Sequence, residues 1–301
     1  MAGMNGPVLA RLPDGRLHLQ HGPIDLVIEG FGAPEEVGAA YGQAWDRFRD
    51  ILETLVGELS QLRTPVGAAY PLVRGPVARR MVAAVWPHRD TFITPMAAVA
   101  GAVAEEVLEA MLAGQNLRKA YVNNGGDIAF WLGESEIFRA GVVENIAAPA
   151  IGASFEIRSN DAARGIATSG WRGRSQSLGI ADAVTVLART ASQADAAATL
   201  IANAVNVEHP AIRRLPARVV KEDSDLGELP VTVEVGLLPK DVVLSALNNG
   251  LLLAQRMQSA ELIETAFLSL QGEGVVAGAV QADCSSNRDL EPIKRIVQRG
   301  R

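Results

Sequence analysis

Cysteine is nearly absent: Cys284 is the one cysteine in 301 residues. That excludes a disulfide framework and any zinc site built from cysteines. The four histidines, His18, His21, His88 and His209, are scattered and show no metal-ligand spacing. An excess of positive charge is missing as well. Lys and Arg total 28 against 34 Asp and Glu, a net charge of −6, which argues against a general coat for nucleic acid. The opening MAGMNGPVLARLPDG has no basic start leading into an apolar run, so no secretory signal is read. The uncharged stretch Thr91 to Ala104 has helical character. It is cut by Glu105 and Glu106, short of the roughly 20 residues that a membrane span needs. The expectation is a soluble cytoplasmic protein that binds neither nucleic acid nor membrane.

What is present suits a well-cored globular chain. Hydrophobic residues make up 48% and charged residues 21%, and the 29 Gly and 15 Pro are spread without a repeat. This composition fits one elaborated domain or two intimately packed ones. Short strands are expected over 8–30. One long amphipathic helix is then expected from Pro34, carrying Val37, Tyr41, Trp45, Phe48, Leu52, Leu55, Leu59 and Leu62 on one stripe. Thr94 as N-cap and Pro95 as first helical residue open a second helix that stops at Gly114. Strands follow at 119–123, 128–132, 138–143, 154–157, 165–168 and 183–187, then a helix over 192–206. After His209-Pro210 the polar, Pro-broken RRLPARVVKEDSDLGELP is the one candidate boundary. It divides a core at 1–210 from a C-terminal part at 211–301 packed on it. That part is expected to hold a strand at 231–235, helices at 241–257 and 259–270, and a frayed basic tail from Arg288. Strands and helices alternate without a strict βαβ rhythm, so the class is α+β, a mixed sheet with packed helices.

Three motifs carry chemistry. Asn124-Gly125-Gly126-Asp127, preceded by Asn123, sits between two strands. Its glycines let backbone N–H groups approach an anion, although the same residues make an ordinary hairpin turn. Thr168-Ser169-Gly170 ends a strand and leads through Trp171 to Arg172 and Arg174, whose guanidinium forks suit phosphate or carboxylate. It is no nucleophile elbow, because Ala167 and Trp171 stand where glycine is required. Asp195, Thr199 and Asn203 form a line of short polar side chains at four-residue spacing on an Ala-rich helix, a pattern suited to a hard cation held by oxygens. Ser192 and Asp195 also have capping-box spacing, which would make Asp195 structural. Asp223, Asp225 and Glu234 imitate a calcium loop, but Gly227 is one position early and 231–235 alternates like a strand. Cys284 has no neighbouring histidine and reads as a spectator thiol.

These motifs, in this order, resemble the ApbE superfamily, whose founding members are magnesium-dependent FAD:protein FMN transferases. The family's A-K-G, N-x-G-G-D-I, A-T-S-G, V-T-V and A-D-A-x-A-T elements are matched by Val99-Ala100-Gly101, Asn123 to Ile128, Ala167 to Gly170, Val184-Thr185-Val186 and Ala194 to Thr199. The resemblance covers about residues 94–206. The style of Gly173-Arg174-Ser175, of Gly179 to Val186 and of Asp223 to Gly227 is closest to an uncharacterised ApbE-like branch. It implies an ApbE-like fold and a pocket for Mg²⁺ with FAD or another phosphorylated ligand. Asp195 and Thr199 would be at the metal. Asn124, Gly125, Gly126, Asp127, Thr168, Ser169, Gly170, Arg172 and Arg174 would be at the ligand.

Two departures bear on activity. Ala100 stands where the transferases have lysine, and residues 172–182 replace their histidine-bearing H-x-I-D-P-x-T-G segment. No catalytic residue is assigned. Transfer of an FMN or nucleotidyl group to an acceptor protein or small molecule is one expectation. A ligand-binding or accessory protein that kept the fold without the chemistry is the other. A homo-oligomer is left open.

Overall fold

A computed structural model describes residues 6–143, 151–173 and 175–278. Arg174, Cys284 and the tail from Arg288 lie outside the described residues. In chain order the N-terminal elements are β1 (Val8–Arg11), β2 (Leu17–His21), β3 (Ile24–Phe31), α1 (Pro34–Phe48), α2 (Ile51–Gly57), α3 (Leu59–Leu62), α4 (Pro76–Val85) and α5 (Val99–Leu112). Next come β4 (Lys119–Asn124), β5 (Asp127–Leu132), β6 (Ile137–Val143), β7 (Ile151–Arg158), β8 (Gly165–Ser169), β9 (Ala183–Ala188) and α6 (Ala191–Ala204). The remainder is β10 (Ile212–Pro216), α7 (Ala217–Val220), β11 (Pro230–Val235), α8 (Lys240–Ser259), β12 (Thr265–Leu270) and β13 (Glu273–Ala277).

Among the described residues, nine strands form one sheet in the order β1-β2-β3-β4-β5-β8-β9-β12-β13. The α+β class holds. The expected mixed sheet is instead antiparallel at each of these pairings. Hairpins and short returns link most neighbours, and none of these links makes the parallel crossover that a mixed sheet needs. One face is covered by the helices. Leu26, Ile28, Val122 and Val186 from the strands pack with Phe48, Met81, Val103, Val107 and Ile201 from α1, α4, α5 and α6. The other face carries a smaller cluster of Phe130, Phe138, Phe155, Ile157 and Phe267 under the β6–β7 ribbon, with Phe130 and Phe138 stacked at 4.8 Å.

Several expected elements are corrected. The single helix from Pro34 to Leu62 is three helices broken near Asp50 and Glu58. Glu58 turns its carboxylate to the N–H groups of Arg74 and Gly75, at 2.5 and 2.8 Å. The second break therefore serves a tertiary contact at the start of α4, a helix the periodicity did not suggest. Thr94 does not cap its own helix. Its hydroxyl donates to Asp225 at 2.6 Å, and residues 95–98 form a 3₁₀ turn before α5. The stretch 259–270 is not a second C-terminal helix. α8 runs on to Ser259, Glu261 has φ 56°, and 265–270 is the strand β12 between β9 and β13. The supposed connection after His209-Pro210 contains β10 and α7, and β10 pairs with β11. The doubtful calcium loop is accounted for as well: Asp223 pairs with Arg63 at 3.1 Å, and Asp225 holds Thr94.

An acidic run on α5 ties the helices together. Glu106, only 9% exposed, accepts from Arg47 at 2.8 Å and from Arg80 at 2.9 Å, and Arg80 also pairs with Glu109. Burial alone would raise the Glu106 carboxyl. The two guanidiniums outweigh it and hold the group below the usual carboxylate range. Stability from this pairing is present above the ordinary carboxylate titration and is lost as pH falls through the lowered one. Glu106→Gln is expected to cost about 1–2 kcal/mol at neutral pH, because it removes one charged partner from each of two partly buried guanidiniums, while Asp50 stays on Arg47 and Glu109 on Arg80. Urea unfolding should show that cost at pH 7, with the gap to wild type closing in acid. A gap unchanged in acid would mean that packing, not charge, is lost.

Candidate functional site

Four segments meet at one end of the large sheet. The first is the β4–β5 turn. Gly125 and Gly126 both have positive φ, 66° and 114°, and Asn124 pairs with Asp127 across them. This is the two-residue hairpin that left-handed glycines favour. The hairpin reading is therefore right as geometry. The Gly126 N–H is already donated to Asn123 Oδ1 at 2.8 Å. Asn124 is buried and donates through Nδ2 to the Ala100 carbonyl at 3.1 Å, clipping the turn to the start of α5.

The second segment is the end of β8. The Thr168 N–H donates to Asp127 Oδ1 at 3.2 Å, and the Thr168 hydroxyl lies 2.9 Å from that of buried Thr185. Gly170 is needed for close approach, since a methyl group there would meet the Asp182 carbonyl oxygen at 2.4 Å.

The third and fourth segments are the N-terminal turns of α5 and α6. Thr190 caps α6 by accepting from the Gln193 N–H at 3.3 Å, and Glu105 on α5 accepts from the Ser192 N–H at 2.6 Å. Two orphan donors of α6 are thus satisfied without Asp195. The capping-box alternative fails, because the Asp195 carboxylate instead accepts from the Gly101 N–H of α5 at 3.0 Å. Asp127, Thr168, Gly101 and Asp195 are consequently brought together although they come from four elements.

Electrostatics single out Asp195. Burial, and next the Asp127 carboxylate, push its carboxyl well above the ordinary range; the Gly101 and Ala100 N–H groups pull the other way without reversing this. The Thr199 hydroxyl, one turn along α6, has no hydrogen-bond partner among the described residues. Asn203, the third member of the polar line, is not part of this group. Its Oδ1 accepts from Leu178 N–H at 2.9 Å and from the Ser177 hydroxyl at 3.2 Å.

Arg172 is bonded to neither Asp127 nor Asp195. Its Nε donates to Asp182 at 2.7 Å and its guanidinium lies 4.6 Å from the Trp171 ring centroid. The two terminal nitrogens have no partner among the described residues. Asp182 also accepts from Trp171 Nε1 at 3.2 Å and from the Gln271 N–H at 2.6 Å, so it fixes this loop to the β12–β13 turn. Asp182 was not singled out from sequence. The only signal was its place just before an apolar strand.

Among the described residues, no three His, Cys, Asp or Glu side chains converge as a metal cluster, and no helix is long and apolar enough to cross a membrane.

A family profile described as AbpE bacteria matches residues 9–278. The chain belongs to this ApbE family. Its similarity to curated relatives is to UPF0280 proteins. One from Methanobrevibacter smithii is 34% identical over 160 residues, which cover 50% of this chain and 65% of the relative. Another from Methanothrix thermoacetophila is 38% identical over 158 residues, covering 51% and 62%. The chain thus spans less than two thirds of the length of these curated relatives. Among solved structures it is similar to the flavinyl transferase ApbE of Pseudomonas stutzeri in its apo form. That likeness has 13% identity and a TM-score of 0.41, covering 90% of this chain and 93% of the other. It is also similar to the flavin transferase ApbE of Vibrio cholerae, with 12% identity and a TM-score of 0.44, covering 93% and 97%.

Proposed function

We propose that this ApbE family member binds Mg²⁺ and a phosphorylated ligand of the FAD type at the end of the sheet where Asp127, Thr168 and Asp195 meet. The observation that carries the reading is the drawing together of two carboxylates from different elements, with the unpartnered Thr199 hydroxyl one turn from one of them. Like charges in a half-buried setting are costly unless a proton or cation lies between them. The available donors are all oxygens: the Asp127 and Asp195 carboxylates, the Thr199 hydroxyl and the Ala100 carbonyl. That donor set fits a hard cation that keeps waters and takes further oxygens from ligand phosphates. Mg²⁺ bound there would neutralise charge on a phosphoanhydride and on its leaving group.

The chain's own residues divide the remaining work. The open edge of the Arg172 guanidinium, held in place by Asp182 and Trp171, is the donor for phosphate. Gly126 and Thr168 are supporting positions, because their N–H groups are used internally. Cleavage of a flavin dinucleotide with AMP leaving, and transfer of FMN to an acceptor, is the activity this reading favours. The non-catalytic alternative draws on Ala100, where the transferases carry lysine.

FAD titration of the full chain, with Mg²⁺ and with chelator, tests the binding reading. At least tenfold tighter binding with Mg²⁺ is expected, and equal affinity in chelator would overturn it. Release of AMP from FAD, with candidate acceptors present, separates the enzyme from the binding protein.

A further inference from the structure

A second cavity lies away from the carboxylates. It has a volume of about 420 Å³ between the C-terminal half of α6, the C-terminal half of α8 and the segment 87–92. That volume is within the range of small-molecule sites. Asp195 and Asn203 are eight residues apart on α6, about 12 Å along its axis. The two places share a helix but not their residues.

The floor of this cavity is apolar. Leu200 of α6 and Met257 of α8 are buried there, Leu253 comes from the preceding turn of α8, and Phe92 closes one side while 41% exposed. Around that floor stand polar groups, most of which spend no side-chain bond on another protein group among the described residues. Arg256 has no carboxylate or hydrogen-bond partner for its guanidinium among the described residues, and Asp90 has none for its carboxylate. They do not pair with each other. Most other described arginines are ion-paired or bonded to backbone carbonyls. Asn203 spends its oxygen on Leu178 and Ser177, so its amide N–H₂ remains a donor at the rim. His88 has no partner either, and burial lowers its pKa, so the ring stays neutral at pH 7.

We propose that this cavity binds a small apolar zwitterion, an amino acid or dipeptide with a large aliphatic or aromatic side chain. Its carboxylate meets Arg256 and the Asn203 amide, its ammonium meets Asp90, and its side chain covers Leu200, Leu253 and Met257. The charge pattern selects this class. A plain anion would leave its charge beside Asp90, and a plain cation would face Arg256. A neutral apolar molecule would cover both charges and pair neither, at a desolvation cost. A zwitterion satisfies both ends while displacing water from the apolar floor.

Calorimetric titration of the full chain with L-phenylalanine, L-leucine and L-leucyl-L-leucine is the test, set beside N-acetyl-L-phenylalanine and L-phenylalaninamide. Saturable binding of at least one free zwitterion is expected. Acetylating the amine or amidating the carboxylate of phenylalanine should weaken binding tenfold or more. Arg256→Gln should weaken the free amino acid at least tenfold and reduce its preference over the amide. Asp90→Asn should do the same relative to the acetylated form. Both side chains are exposed and unpaired, so both variants should unfold at the wild-type temperature and keep wild-type FAD binding. Absence of binding by all three zwitterions overturns the proposal. So do blocked forms that bind as tightly as the parent, variants that bind as tightly as wild type, or loss of FAD binding in Arg256→Gln.

Discussion

Asp195→Asn is expected to lose the Mg²⁺-dependent gain in FAD affinity, a drop of tenfold or more, while the metal-free variant gains stability over metal-free wild type as pH rises above the ordinary carboxylate titration. Asparagine keeps the shape and an oxygen for the Gly101 N–H, whose bond in the wild type is 3.0 Å. It removes the charge that a cation would balance. The stability change follows from linkage. In the folded chain the Asp195 carboxyl is held well above its ordinary range, by burial first and by Asp127 second. Between the ordinary and the raised titration the folded state carries a proton that the unfolded state has released. Stability therefore falls as pH rises through that window and stays lower above it, by about 1.4 kcal/mol for each tenfold displacement of the equilibrium. Asparagine has no proton to lose and escapes this cost. Mg²⁺ should reverse the order by stabilising wild type alone. Thermal unfolding across pH 5 to 9, in chelator and in Mg²⁺, reads both effects. If the variant is less stable than wild type in chelator at every pH, the carboxylate is a structural bond to α5 and not a charge awaiting a cation.

Much of the fold was readable where local chemistry and burial agree. The strands from 119 to 188 show turn residues at their ends and, in β4, alternating burial, and their expected positions lie within a few residues of those found. β12 was misread because every residue in Thr265–Leu270 is buried, so the segment shows no alternation and looks like helix. The break at Glu58 was invisible because its cause is a bond to backbone 16 and 17 residues away. The candidate site divides in the same way. Asp195 is a short polar side chain at a place where a solvent face would carry Lys or Glu, and that local oddity pointed to it, whereas Asp127 and Thr168 were marked by the glycine turn and the strand-end motif that hold them. Asp182, Glu105 and Gly101 have their meaning only through tertiary partners. Asn124 was drawn toward the ligand by the turn motif and Asn203 into the polar line by its spacing, but the fold uses both as clips.

Gly101→Ala and Gly165→Ala should each destabilise the chain by about 3 kcal/mol, at or beyond the upper end of ordinary overpacking, and should disable the site without touching any proposed ligand group. The reason is a three-way approach at the first turn of α6. A methyl group at Gly101 would lie 2.3 Å from the Ala191 carbonyl oxygen and 2.7 Å from the Ser192 nitrogen. At Gly165 on β8 it would lie 2.1 Å from the Ala191 nitrogen and 2.2 Å from the Thr190 carbonyl carbon. Both obstacles are backbone, so no side-chain rotation relieves either clash. The helix terminus has to move away from α5 or from β8. That terminus is pinned by the Thr190 cap, by Glu105 on the Ser192 N–H and by Asp195 on the Gly101 N–H, and a shift of a few tenths of an ångström lengthens all three bonds. Gly38 is a fair control, because nothing lies within 4 Å of a methyl group there and it sits within a helix. Gly38→Ala should leave stability unchanged or raise it by roughly 1 kcal/mol. Urea unfolding of the three variants, with Mg²⁺-dependent FAD titration of each, checks the argument. If Gly101→Ala and Gly165→Ala unfold like the control and keep Mg²⁺-dependent binding, the junction of α5, β8 and α6 is not what positions Asp195.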